Sequence, residues 1–187
     1  GLPADTIRRI NAANPDTNAW ARFERAELDA AGFDALFAEE AAAVGHQIPG
    51  GDILALLSGE IRPAMVIAID AIMAAGLKTG CITNNVPTGH GAGMARDPKK
   101  AAEIAAIMAR FDHVIESSKV GIRKPDPRIY LMMCDALAVS PAECIYLDDL
   151  GINCKPAAAL GMRAIKVAGE TQALADLAEA VGLPLSA

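Results

Sequence analysis

Asp148 and Asp149 stand side by side after the apolar triplet Ile145-Tyr146-Leu147, with Leu150-Gly151-Ile152-Asn153 following. That order predicts a buried strand delivering two carboxylates at its carboxyl end, where open parallel sheets hold their ligands. Adjacent carboxylates repel, and burying them is costly unless a cation or hydrogen-bond donors compensate. Mg²⁺, a hard ion that takes oxygen ligands, is the natural partner of such a pair. Taken alone, the pair reads more simply as caps of a following helix. The groups elsewhere in the chain tip the choice. Thr83 and Asn84 supply a hydroxyl and an amide where Lys78–Thr83 ends, and Lys124 supplies a cation in Gly121-Ile122-Arg123-Lys124-Pro125. A hydroxyl, an amide, a cation and a carboxylate pair at the ends of successive strands can bind a phosphate together with its metal.

The elements that must position these groups follow from local signals. Up to about Arg62 the pattern is helical, with Trp20, Phe23 and Glu27 on one side of a helix over Asn18–Leu28. Phe33, Leu36 and Phe37 repeat the period after Gly32. These aromatics read as the core of a small bundle. Pro63 to Ala75 is apolar nearly all round, and Pro63 at its start with Gly76 past its end favours a buried helix. Strands are expected at Lys78–Thr83, His113–Glu116, Ile145–Asp148 and Arg163–Val167. Between them lie helices opened by Asp97-Pro98 and Asp126-Pro127, one helical turn at Ser140–Glu143, and helices ending at Gly161 and Gly182. Gly89, Gly91 and Gly93 form a glycine-rich loop without the Lys-Ser/Thr ending of a nucleotide-binding loop, and read as a mobile connection. Strands alternating with helices predict an α/β fold with a doubly wound parallel sheet.

With 187 residues the chain suits one domain with a sizeable core, or a core carrying an insertion. The balance of 17 basic against 23 acidic residues, a net charge of −6, argues against a nucleic-acid surface. Four cysteines without Cys-x-x-Cys spacing or histidine company argue against zinc, and they read as core thiols of a reduced compartment. The longest apolar run, Ala64 to Ile69, is far short of a membrane span, and no signal-peptide pattern opens the chain. A cytoplasmic protein with no membrane or nucleic-acid partner is the expectation.

In this order the quoted groups resemble the haloacid dehalogenase superfamily of hydrolases, over a span from about Trp20 to Val167. Within it, the resemblance points to the phosphatase-like domains at the amino end of soluble epoxide hydrolases. It is carried by Trp20-Ala-Arg-Phe23-Glu24, Thr83-Asn84-Asn85, Val120–Tyr130 and Leu147–Ala157. The resemblance implies a Rossmann-like core with an inserted α-helical cap, residues 1–62 being cap and 63–187 core. It also implies a small phosphomonoester as substrate, an aspartyl-phosphate intermediate and Mg²⁺ as cofactor. By the same likeness Thr83 and Asn84 hold the phosphoryl oxygens and Lys124 bridges nucleophile and phosphate. Asp149 binds Mg²⁺ with Asp148 in support, while Asn153 is a second polar group near the metal or a cap.

One departure qualifies this. The superfamily's first strand ends in Asp-x-Asp, which supplies the nucleophile and the general acid/base, and no Asp-x-Asp occurs in this sequence. Either that strand lies upstream of Gly1, within roughly 15 to 25 further residues given ordinary strand and turn lengths, or the chain has lost activity. Two alternatives stand beside the phosphatase. A 2-haloacid dehalogenase shares the nucleophile but needs no metal, which leaves the paired carboxylates without a purpose. A non-catalytic homologue binding a ligand or partner fits the missing Asp-x-Asp but not the retained Thr83, Lys124 and Asp149.

Overall fold

The structure is a computed structural model that describes residues 3, 5–56, 60–88, 94–95 and 97–185. The glycine-rich loop at Gly89, Gly91 and Gly93 lies outside the described residues. The chain divides into two compact units. One comprises Gly1–Gly59, Asn84–Ala101 and Glu116–Arg123, the other Glu60–Thr83, Ala102–Ile115 and Lys124–Ala187.

The first unit is helical, as its periodicity predicts. It holds α1 (Thr6–Ala12), α2 (Ala19–Glu24), α3 (Ala30–Ala43) and α4 (Gly50–Ala55). Side-chain caps set the starts of α2 and α3: Asn18 Oδ1 accepts from the Ala21 amide at 2.8 Å, and Asp29 Oδ1 from that of Gly32 at 2.8 Å. Phe23, Phe33 and Phe37 are fully buried. Phe23 stacks on Phe33 with centroids 4.7 Å apart, and Trp20 tilts against Phe33 at 4.8 Å. Each such ring contributes ~1.5–3 kcal/mol on burial, so the aromatics are packing residues here. The helix predicted to run to Leu28 ends at Glu24. Ala26 takes a positive φ of 57°, which breaks the helix and leaves Glu27 pairing with Arg25 beyond it.

The second unit carries the strands. α5 (Pro63–Ala74) begins at Pro63 and is followed by Gly76 at φ 77°, as its punctuation predicts. It buries Ala68 against Leu174 and Leu177 of α10 (Glu170–Val181), with Ile145 and Leu147 packed beside them. β1 (Gly80–Thr83) leads through α6 (Pro98–Met108) to its neighbour β2 (His113–Glu116), and α7 (Ser117–Val120), next in the chain, belongs to the first unit. α8 (Pro127–Leu137) starts on Asp126, whose carboxylate accepts the Arg128 amide at 2.9 Å. It lies so close to β1 that a Cβ on Gly80 would sit 2.5 Å from Met133 Sδ, a contact only glycine avoids.

After a single 3-10 turn at Pro141–Glu143, β3 (Ile145–Asp148) runs into α9 (Gly151–Ala159) and returns as β4 (Arg163–Lys166). β3 and β4 pair in parallel, with Ile145 opposite Arg163 and Asp148 opposite Lys166. The α/β reading therefore holds. The single sheet divides: among the described residues β1 pairs with β2 and β3 with β4, and neither pair is hydrogen-bonded to the other. No helix among the described residues is long and apolar enough to cross a membrane.

Candidate active site

Asp148, the last residue of β3, is buried, and four donors converge on its carboxylate. Oδ2 accepts from Lys124 Nζ at 2.9 Å and from the Tyr146 hydroxyl at 2.6 Å. Oδ1 accepts from the Leu150 amide at 2.8 Å and from Asn153 Nδ2 at 3.0 Å. A carboxylate offers about four acceptor positions, so Asp148 is saturated by the protein. Its backbone carbonyl accepts from Val167 at 2.9 Å, which fixes the strand end from the β4 side.

The surroundings that bury this carboxylate also charge it. Burial pushes the Asp148 carboxyl up, but the Tyr146 hydroxyl, the Lys124 ammonium and the Leu150 amide outweigh burial and hold it below the ordinary carboxylate value. The Lys124 and Asp148 side chains are only 13% and 5% exposed, so their ion pair is poorly screened by solvent. Tyr146 is on β3 two residues before Asp148, on the same face. Its ring meets that of Tyr130 edge-on at 5.1 Å, and the Tyr130 hydroxyl donates to the Asn153 carbonyl at 2.8 Å. Tyr130, Asn153, Asp148 and Tyr146 thus form a closed polar circuit under the strand end. Burial pushes the Tyr130 phenol up to about 12, and burial together with the Asp148 carboxylate pushes Tyr146 up as well.

Asp149 is the next residue and is exposed. The two carboxylates expected to act as a metal pair therefore differ. Asp148 has its acceptor positions taken by the protein, whereas Asp149 is exposed. Mg²⁺ accepts one or two protein carboxylates and keeps several waters, and Asp149 fits one position of such an ion. Among the described residues no group of three or more His, Cys, Asp or Glu side chains could hold a metal.

Thr83 ends β1 as expected. Lys124 and Asp148 come together as an ion pair, with Lys124 Nζ 2.9 Å from Asp148 Oδ2. Asn84 belongs to the helical unit, where its amide donates to Glu24 Oε2 at 3.2 Å. The same carboxylate takes the Arg123 guanidinium, which also reaches the Pro15 carbonyl at 3.2 Å. Asn153 is neither a helix cap nor a solvated side chain. It is buried and holds Asp148. Tyr146 and Tyr130 are additions to the expected set. The period-two spacing of Tyr146 and Asp148 was the available signal for the first, and nothing local signals the second.

Comparison with known proteins identifies the family of the chain. A family model described as a haloacid dehalogenase-like hydrolase matches residues 3–161. The chain belongs to that family. It is 34% identical over 189 residues to acyl-CoA dehydrogenase family member 10 of Mus musculus, covering 98% of this chain and 17% of that protein. Bifunctional epoxide hydrolase 2 of Sus scrofa is 35% identical over 131 residues, covering 70% of this chain and 23% of that one. A Mycobacterium tuberculosis phosphatase is 32% identical over 125 residues, covering 65% and 52% respectively. The chain therefore spans about a fifth of the first two relatives and half of the third. Among solved structures, the magnesium complex of a HAD family enzyme from Bacteroides thetaiotaomicron aligns with a TM-score of 0.61 at 19% identity. The alignment covers 89% of this chain and 84% of that one. That likeness establishes the α/β fold of the family.

Proposed function

We propose that this chain belongs to a Mg²⁺-dependent phosphatase of small phosphomonoesters, in which an aspartate attacks the phosphoryl group and water then releases phosphate. The observation that carries this reading is the Lys124–Asp148 pair with the exposed Asp149 directly after it at the end of one strand. Asp148 anchors Lys124, whose fixed positive charge would face the phosphoryl group. The Thr83 hydroxyl, ending β1, and the Asn84 amide would hold phosphoryl oxygens. Asp149 would contribute one ligand to Mg²⁺, which when bound offsets the negative charge gathered at the phosphate. The helical residues 1–62 would serve as a cap that sets the substrate, with 63–187 as the core.

The attacking aspartate is not among these residues, since no Asp-x-Asp occurs in them. The separation of the β1–β2 pair from the β3–β4 pair supports a place for it. A further strand between β1 and β3 would pair with both, satisfying backbone groups on either side and ending beside Asp149. The phosphatase name of one relative and the magnesium bound by one structural neighbour are consistent with this chemistry.

The test is to supply the product of the complete gene with p-nitrophenyl phosphate and, separately, with 2-chloropropionate. Phosphate release without chloride release is expected. Chloride release would turn the reading to a 2-haloacid dehalogenase, and release of neither would turn it to a non-catalytic homologue.

A further inference from the structure

We propose that Cys134 and Cys144 form a reversible intramolecular disulfide, making this pair a redox modification site that joins the end of α8 to the start of β3. Their sulfurs are 3.8 Å apart, and a disulfide needs them at about 2.05 Å. Closing the remaining gap requires the two side chains to rotate toward each other. The backbone that presents Cys144 is held on both sides. Ser140 and Glu143 close the preceding turn with bonds of 2.8 and 2.7 Å, the Cys144 amide donates to Pro141 at 3.0 Å, and its carbonyl accepts from Arg163 at 2.9 Å. The Cys144 thiol also donates to the Ser140 carbonyl at 3.3 Å. The Cys154 thiol, by contrast, faces the backbone carbonyls of Asp148 and Ile165 at 3.6 and 3.8 Å.

The two thiols differ in access, which sets the order of events. Cys144 is half-buried and Cys134 is buried. With oxidised glutathione as oxidant, the Cys144 thiolate attacks one glutathione sulfur. A Cys144–glutathione bond forms, the glutathione disulfide breaks, and one glutathione thiol leaves with the proton lost by Cys144. The Cys134 thiolate then attacks the Cys144 sulfur and releases the second glutathione thiol. The protein pair loses two electrons and two protons, and the glutathione disulfide gains them as two thiols. Burial pushes the Cys134 thiol up to about 11, so its thiolate is scarce near neutral pH. The bridge joins the two elements that carry Tyr130 and Tyr146. The proposal is independent of the phosphatase reading.

The experiment exposes the full chain to oxidised glutathione and blocks remaining thiols. It then digests the unreduced protein with a protease that cuts after acidic residues, Asp135 and Glu143 lying between the two cysteines. Mass spectrometry should find a glutathione adduct on Cys144 that decays into a Cys134–Cys144 cross-link two hydrogens lighter than the separate peptides. Dithiothreitol should reverse it, and Cys134→Ser should stop at the adduct. A persistent adduct in the wild type, cross-links through Cys81 or Cys154 instead, or full retention of free thiols would overturn the proposal.

Discussion

Replacing Asp148 with alanine should destabilise the chain more than removing its ionic partner by Lys124→Met, because the carboxylate is the common acceptor of four donors and the lysine is only one of them. Lys124→Met leaves Asp148 with the Tyr146 hydroxyl, the Leu150 amide and the Asn153 amide. On the Asp148 side the loss is then close to one hydrogen bond to a charged group, ~1.5–3 kcal/mol. Asp148→Ala instead removes the acceptor shared by a lysine ammonium, a phenol, a backbone amide and an asparagine amide, in a site whose Lys124 and Asp148 side chains are largely buried. Breaking a buried pair in this way costs ~3–5 kcal/mol, a large share of the ~5–15 kcal/mol that holds a domain together. Urea unfolding followed by circular dichroism, with the slopes of the transitions compared, gives both values directly. A Lys124→Met loss equal to or larger than that of Asp148→Ala would refute the view that Asp148 is the organising acceptor of the site.

Two other outcomes follow from packing and from titration. Gly80→Ala should cost ~1–3 kcal/mol by overpacking, since the new methyl meets Met133 Sδ at 2.5 Å, and in a double-mutant cycle the same change should cost less in a Met133→Ala background than in the wild type, read in the same urea assay. Tyr130 keeps its proton more firmly in the folded chain than the ordinary value of 10.0. Its contribution is therefore complete below pH 10.0 and is lost as pH rises through about 12. Wild type should lose stability over that window more steeply than Tyr130→Phe, as read from the urea midpoint against pH.

Much of the fold was legible because this chain punctuates its elements. Pro63 and Gly76 bracket α5, Asp126-Pro127 starts α8, Ser140 and Glu143 mark one turn, and Gly182 stops α10, each through a local backbone rule that needs no partner. Asp148 and Asp149 were legible as carboxylates at a strand end. Which of them is buried was not, because only the tertiary structure says which of two neighbouring carboxylates is turned inward. The hydrogen bond from Asn84 to Glu24 spans 60 residues of chain and leaves no trace in either neighbourhood. The early stop of α2 came from a positive φ at Ala26, a residue whose type gives no warning of it. The division of the sheet into two pairs was also out of reach of pattern alone, since four apolar strands of ordinary length read as one sheet whether or not another strand is needed between them.

The central claim, that Asp149 helps to hold a magnesium ion serving phosphate ester hydrolysis, is tested most directly by the Mg²⁺ dependence of p-nitrophenyl phosphate hydrolysis. The assay compares the complete gene product with its Asp149→Asn variant. The account predicts hydrolysis that stops in EDTA and returns with Mg²⁺, and a variant that needs at least tenfold more Mg²⁺ for half its maximal rate, equivalent to ~1.4 kcal/mol in binding. Hydrolysis that is indifferent to Mg²⁺, or the same Mg²⁺ requirement in the two proteins, would contradict it.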